Sequence, residues 1–442
     1  MKLLLSFIIL MACSLNGTLL ISTLGLITSG LILYSFMQKV GKTLPIFDLL
    51  LLIAALQWVV GPWLSYTFFD DHYKYHMYVP EQDYMWLAVP AIIFLSLGLF
   101  YRKVDREQLE INLIQYSENL IQVQSKLPYW LIGMGVFFSF TGNFVPSFLK
   151  FVFFLLANIK YIGLIYLLFS RHKSKWLIIA GAWVLTLLSS VRAGMFHDLL
   201  LWTAMIVLYV AFVIKPTIRQ KGIALITGFL LVFILQIVKQ EYRQQVWFEG
   251  YSGDRVSLYT DLVSNQIKNT NSLFSKESFS GLVTRINQGW INSKVMEHVP
   301  KQEPFANGET ILDAVSASLL PRFLAPDKKR AGGKENFERF TGFQLLSASM
   351  GISLLGEGYA NYGIYGAWLF LFLVGLFYAS VLNFFYHYSR KHPTLLFWLP
   401  LIFLQVVKAE TELVVVLNHL VKSLILVLGF FWAAPKIFNW KL

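Results

Sequence analysis

Apolar runs close to 20 residues long follow one another along most of this 442-residue chain, and they leave few folds open. At 1.5 Å of rise per residue, each run matches the hydrocarbon thickness of a bilayer. Only helices and closed barrels span lipid, because lipid cannot satisfy a bare backbone amide. The runs are continuous and do not alternate, which selects helices. About 12 spans (11–13) are expected, at roughly 2–15, 18–37, 45–66, 84–101, 128–146, 150–170, 176–191, 197–214, 222–239, 360–386, 394–409 and 413–434. The expected class is an all-α polytopic membrane protein. It divides into an N-terminal bundle of about nine spans (1–239), one large polar loop (240–355) and about three C-terminal spans (356–442). With 56% hydrophobic and 14% charged residues, a soluble globule is excluded.

The formal net charge is +12, yet the basic residues sit mainly in short turns, which points to a topology signal and not to a nucleic-acid groove. Lys39/Lys42, Arg102/Lys103/Arg106, Arg171/Lys173/Lys175, Lys215/Arg219/Lys221 and Arg390/Lys391 follow every even-numbered span, and Lys436 and Lys441 follow the last. These faces are expected to be cytoplasmic, with both termini on that side. The connection after the third span carries Asp70, Asp71, Glu81 and Asp83 against Lys74. The Gln240–Leu355 segment then falls outside the cytoplasm, and long translocated loops are exempt from the charge rule. Cys13 is the only cysteine, so an intrachain disulfide is excluded. Met1 to Cys13 resembles a signal peptide, but a second apolar run follows at once and an uncleaved first helix is expected. The charged Asp105–Lys126 stretch reads as an amphipathic helix, Ser257–Ile267 and Thr310–Leu320 as loop helices, and Pro321–Lys334 as a turn-rich connection.

The large segment holds Arg243, Arg255, Arg285, Arg322, Arg330 and Arg339, and Arg192 lies in the outer Ser189–Gly194 turn. Guanidinium groups grip phosphate bidentately and stay charged at any physiological pH. A lipid-linked diphosphate is one natural partner; ordinary surface ion pairs with the segment's many acids are the other reading. Arg192 and Arg322 stand out because apolar residues flank their tight turns.

Glu357 and Asn361 lie four residues apart in Gly356-Glu357-Gly358-Tyr359-Ala360-Asn361-Tyr362-Gly363, so a helix places them on one face. Glu357 is either a general base near the lipid boundary or a dipole-compensating residue at a glycine-packed helix start. Lys160, Glu410, Glu412, Asn418, His419 and Lys422 are polar groups at or near membrane depth, where they line a cavity, carry protons or pair with one another. His298 is a loop candidate for a base. His72 and His76 have i,i+4 spacing but lack further ligands, so no metal is assigned. Nucleotide-binding loops and nucleophile elbows are missing from the sequence.

Leu319-Leu320-Pro321-Arg322-Phe323-Leu324-Ala325-Pro326-Asp327-Lys328 and the Gly356–Gly363 run resemble bacterial oligosaccharide repeat-unit polymerases of the Wzy type. The Ser-x-Arg-Ala-Gly turn at Arg192 is similar to an arginine at an outer helix end in such proteins. Lys329 replaces a usual proline and Tyr362 a usual phenylalanine. The resemblance implies an architecture like GT-C glycosyltransferases and O-antigen ligases, in a bacterial cytoplasmic membrane. It also implies a metal- and cofactor-independent transferase that polymerises undecaprenyl-diphosphate-linked repeat units into O-antigen, capsule or exopolysaccharide. A flippase and a chain-length regulator are the implied partners. Arg192 and Arg322 would hold the leaving diphosphate, and Glu357 would serve as base. Arg285, Arg339, Lys328, Tyr359, Asn361 and His298 are candidate substrate contacts, with Trp247 and Trp290 available to stack on sugar rings. The alternatives are an O-antigen ligase and a non-catalytic exporter of polysaccharide or lipid.

Overall fold

The computed structural model describes residues 19–69, 75–102, 106–146, 148–268, 275–320, 329, 332–345 and 349–441. All named elements there are helices, with a single isolated β-bridge at Val40 and Thr43. In chain order they are α1 (Leu20–Lys39), α2 (Ile46–Phe68), α3 (Glu81–Leu99), α4 (Glu107–Val123), α5 (Leu127–Thr141), α6 (Lys150–Leu168), α7 (Lys175–Ala193), α8 (His197–Ile214) and α9 (Ile218–Phe248). The loop supplies α10 (Arg255–Lys268), α11 (Lys276–Ile286), α12 (Gly289–His298), α13 (Glu309–Leu319) and α14 (Lys334–Thr341). The chain closes with α15 (Ser353–Ser389), α16 (Pro393–Phe403) and α17 (Leu413–Phe438).

Among the described residues, nine helices are long and apolar enough to cross a membrane; α5 and α16 are shorter apolar helices. Together they occupy the eleven expected positions after the first span. That first span, and Cys13 with it, lies outside the described residues.

Close backbone approach sets the packing of α3 on α15. A Cβ at Gly98 would stand 2.2 Å from the Phe372 carbonyl oxygen, and one at Gly375 would stand 2.7 Å from the Leu95 carbonyl oxygen. Small residues that let helix backbones touch are the usual device for helix association in lipid. Helix α15 is not continuous: Gly363 has φ 70° and ψ −165°, a conformation suited to glycine. The kink separates a segment buried from 353 to 361 from the long apolar segment 364–389.

Two cores result. The larger joins α1–α6, α8, α12–α17 and their connections. The smaller is made by Val191, Phe196, Leu199, Val238, Tyr242, Val246 and Tyr259, where α7, α8, α9 and α10 meet. Helices α7 and α9 are mostly exposed along their apolar length.

The even-numbered basic connections converge on one end of the bundle. Lys39 pairs with Asp48, Lys221 donates to the Met37 carbonyl, and the Leu44 amide donates to Glu110 of α4 at 2.7 Å. The amphipathic helix expected from Asp105 to Lys126 is α4, and it docks on this basic end.

Candidate functional site

The Gly356–Gly363 motif forms a joint between the loop and the last helix. Glu357 is fully buried; its Oε1 accepts from Thr310 Oγ1 at 2.9 Å and its Oε2 from the Leu413 amide at 2.7 Å. Asn361 Nδ2 donates to Thr310 Oγ1 and to the Glu357 carbonyl, both at 2.8 Å, while its Oδ1 accepts from the Gly308 amide at 2.9 Å. The amides of Ala306 and Asn307 add bonds to the carbonyls of Ala360 and Asn361. The i,i+4 spacing therefore does place both side chains on one face, and that face grips the start of α13. Tyr359 is also buried, with its hydroxyl donating to the Val299 carbonyl at 3.3 Å. Both Glu357 oxygens are occupied by buried donors, an arrangement that holds helices together and presents no free carboxylate to a substrate.

The candidate cations separate into three environments. Arg339 is fully engaged: its Nε donates to Glu303 at 2.6 Å, and Nη1 and Nη2 donate to Glu309 at 2.9 and 3.0 Å. These carboxylates raise its pKa further, so Arg339 is an internal clamp and not a free phosphate ligand. Arg192 is exposed at the end of α7, and no contact joins it to Glu357 among the described residues. Its carbonyl accepts from Arg255 Nη1 at 2.9 Å; beside it, Gly194 O accepts from Arg243 Nε at 2.9 Å and Val191 O from Tyr242 OH at 2.7 Å. Cationic and hydroxyl donors thus cap the negative end of α7. Arg243 lies 4.3 Å over the Trp247 ring, whose other surface stays exposed. Arg285 is exposed and within electrostatic reach of Arg243 and Lys239. Arg322 and Lys328 lie outside the described residues, as do Arg330, His72, Asp70 and Asp71. His298 is half-buried against Gly342, where a Cβ would meet its imidazole at 2.9 Å, and Trp290 is buried beside Tyr75 and Phe337.

A polar cavity of about 500 Å³ lies elsewhere, against the segment joining α16 to α17. The expected span 394–409 is a short helix that gives way to successive turns, with residues 393–404 and 406–409 buried. Thr411 holds these turns by donating its hydroxyl to the Lys408 carbonyl at 2.8 Å. Irregular backbone inside an apolar bundle is tolerated where protein covers it or where it lines a cavity. Both conditions hold here: Gln405, Lys408, Glu410 and Glu412 line the cavity together with Gln288 and residues 332–333 and 349–351.

The chemistry of this lining is rich in acceptors. Glu410 Oε2 accepts from Gln57 Nε2 at 2.7 Å, and its Oε1 lies 3.7 Å from His197 Nε2. Glu412 Oε2 accepts from Asn336 Nδ2 at 2.7 Å, whose Oδ1 takes a bond from Lys329 at 2.6 Å. The amide oxygens of Gln57, Gln288 and Gln405 are buried with no donor among the described residues. Lys408 is 8% exposed, and its ammonium makes no hydrogen bond or ion pair among those residues. Lys239 is within electrostatic reach of His197, so a basic series of Arg285, Arg243 and Lys239 leads from the smaller core toward the cavity.

Glu410 and Glu412 were visible in the sequence as polar groups near membrane depth. Lys408, His197, Lys239 and the three glutamines were not singled out. The one available signal was the run Lys408-Ala409-Glu410-Thr411-Glu412, which breaks an apolar stretch from Pro393 to Leu417.

The family described as "Domain of unknown function (DUF8712)" matches residues 63–384, which include the loop and the Glu357 joint. The chain belongs to that family. The DUF8712 match contains the Gln288, Gly332–Gly333 and Ser349–Gly351 side of the cavity, while Gln405 to Val415 follow it. Neither a curated protein nor a solved structure matches the chain.

Proposed function

We propose that this protein is a membrane glycosyltransferase that polymerises undecaprenyl-diphosphate-linked oligosaccharide repeat units at the outer face of a bacterial cytoplasmic membrane. The observation that carries the reading is the cavity lining, where the buried amide oxygens of Gln288 and Gln405 have no donor among the described residues and the Lys408 ammonium makes no ion pair there. A glycan supplies hydroxyl donors in quantity, and a lipid-linked one supplies phosphate oxygens next to them. Buried acceptors left without partners are unfavourable, so a ligand that satisfies them gains affinity and specificity. The Pro321–Lys328 and Gly356–Gly363 resemblances point to the same chemistry.

In this reading an acceptor hydroxyl attacks the anomeric carbon of the donor sugar. Its proton passes to Glu410, whose geometry is held by Gln57 and His197. The carbon–oxygen bond to undecaprenyl diphosphate breaks, and the diphosphate leaves with the electron pair. Lys408 and the Lys239, Arg243 and Arg285 series stabilise that charge. Arg322 and Lys328, carried on the segment between Leu320 and Lys329, are further cations for it. Glu357 is assigned to holding α13 and α17 in register, and not to proton transfer.

The test is reconstitution in liposomes with lipid-linked repeat units, followed by separation of the glycans by length. A polymerase yields a ladder of repeats. Transfer of preformed glycan to a lipid A core without a ladder would identify a ligase instead. Movement of lipid across the bilayer with chains of one repeat would identify an exporter.

A further inference from the structure

A second cavity, of about 310 Å³, lies at the opposite, basic end of the bundle and is lined by Tyr101, Arg102, Leu376, Ala379, Ser380 and Asn383. Its origin is geometric. Helices α3 and α15 touch backbone to backbone at Gly98 and Gly375; α3 ends at Leu99 while α15 runs on to Ser389, and the notch lies beside that end. Among the described residues no acid lines the notch, and its polar groups are chiefly donors. Arg102 makes no ion pair or hydrogen bond among the described residues. Asn383 uses its Oδ1 to accept from Arg106 Nη2 at 3.4 Å, which leaves its Nδ2 as a donor. Arg106 is fixed over the rings of Phe47 and Tyr386, at 5.6 and 5.3 Å, so its positive charge stays beside the notch. Exposed Leu97, Leu373 and Phe377 continue along the same two helices toward the middle of the bundle.

We propose that this notch is a headgroup site for one anionic phospholipid, independent of the glycan cavity. A phosphodiester offers acceptor oxygens to Arg102 and Asn383, and the acyl chains lie along the apolar surface of α3 and α15. Basic pockets between membrane helices at the headgroup level are suited to such lipids, and a zwitterionic headgroup gains less from two arginines.

The full-length protein, purified in detergent, is examined by native mass spectrometry with added dioleoyl phosphatidylglycerol or dioleoyl phosphatidylcholine. One tightly retained phosphatidylglycerol is expected, with phosphatidylcholine retained more weakly. Arg102→Gln should lower that affinity about tenfold, the effect of losing one charge-assisted hydrogen bond. Arg102 is exposed, so this variant should fold normally; Ala379→Trp, which fills the notch, is a second and independent arm. Equal binding of the two lipids, or unchanged retention in both variants, would overturn the proposal. Displacement of the lipid by millimolar inorganic phosphate would overturn the lipid assignment by showing a site for the free anion.

Discussion

Glu357 Oε2 accepts the backbone amide of Leu413 at 2.7 Å, so a side chain from the start of α15 closes the start of α17. Its other oxygen holds Thr310 at the start of α13, and three helices meet at one carboxylate. Removing it leaves the buried Leu413 amide without an acceptor and the Thr310 hydroxyl, still held by Asn361, without an acceptor for its proton. Glu357→Ala should therefore destabilise the protein by about 3 kcal/mol, read as a lower Tm in detergent. Glu357→Gln can still accept at one oxygen and should stay close to the wild-type Tm. A Gln variant with normal Tm and no polymer would return Glu357 to the chemistry.

The Arg339 clamp predicts a local effect. Its bidentate bond to Glu309 and its bond to Glu303 tie α14 to the start of α13. Arg339→Ala should weaken this by about 1 kcal/mol, because the groups are partly exposed. The hydrogen bond from Arg339 holds Glu309 below the usual carboxylate pKa. The contribution is thus present above the ordinary carboxylate pKa and is lost as pH falls through the depressed value. Amide exchange in 309–319, corrected for intrinsic rate, should rise at acid pH in the wild type and change less in the variant.

Docking of α4 carries the opposite sign. Burial pushes Glu110 up to about 7, against the lowering effects of Tyr386, the Leu44 amide and Arg106. A carboxyl with a raised folded pKa stabilises the fold fully below its ordinary value of 4.5, and the contribution is lost as pH rises through about 7. Corrected exchange in 107–123 should be slower at pH 5 than at pH 8. Glu110→Gln, neutral at both values, should remove the difference; a difference that persists would mean another group governs the docking.

The helical framework was legible because its period and length are imposed by lipid. Runs such as 197–214 and 413–434 coincide with α8 and α17 to within a few residues at each end. The polar site was less legible. The spacing of Glu357 and Asn361 correctly put them on one face, but spacing cannot tell whether that face meets a cavity or another helix. Arginine number likewise says nothing about partners: Arg339 is occupied by Glu303 and Glu309, which are distant in sequence. The cavity is assembled by residues from position 288 to position 415, and its backbone breaks within what hydropathy alone reads as a span. Long-range assembly of that kind leaves only local traces, here the charged run from Lys408 to Glu412.

The most direct measurement of the central claim is glycan length after reconstitution of wild type, Lys408→Met and Glu410→Gln with the same lipid-linked repeat unit. Loss of a base commonly lowers rate by about a hundredfold or more. The account predicts a ladder from the wild type and at least that loss in both variants, with unchanged Tm. A wild-type ladder that both variants reproduce would contradict the assignment of the cavity as the reaction site.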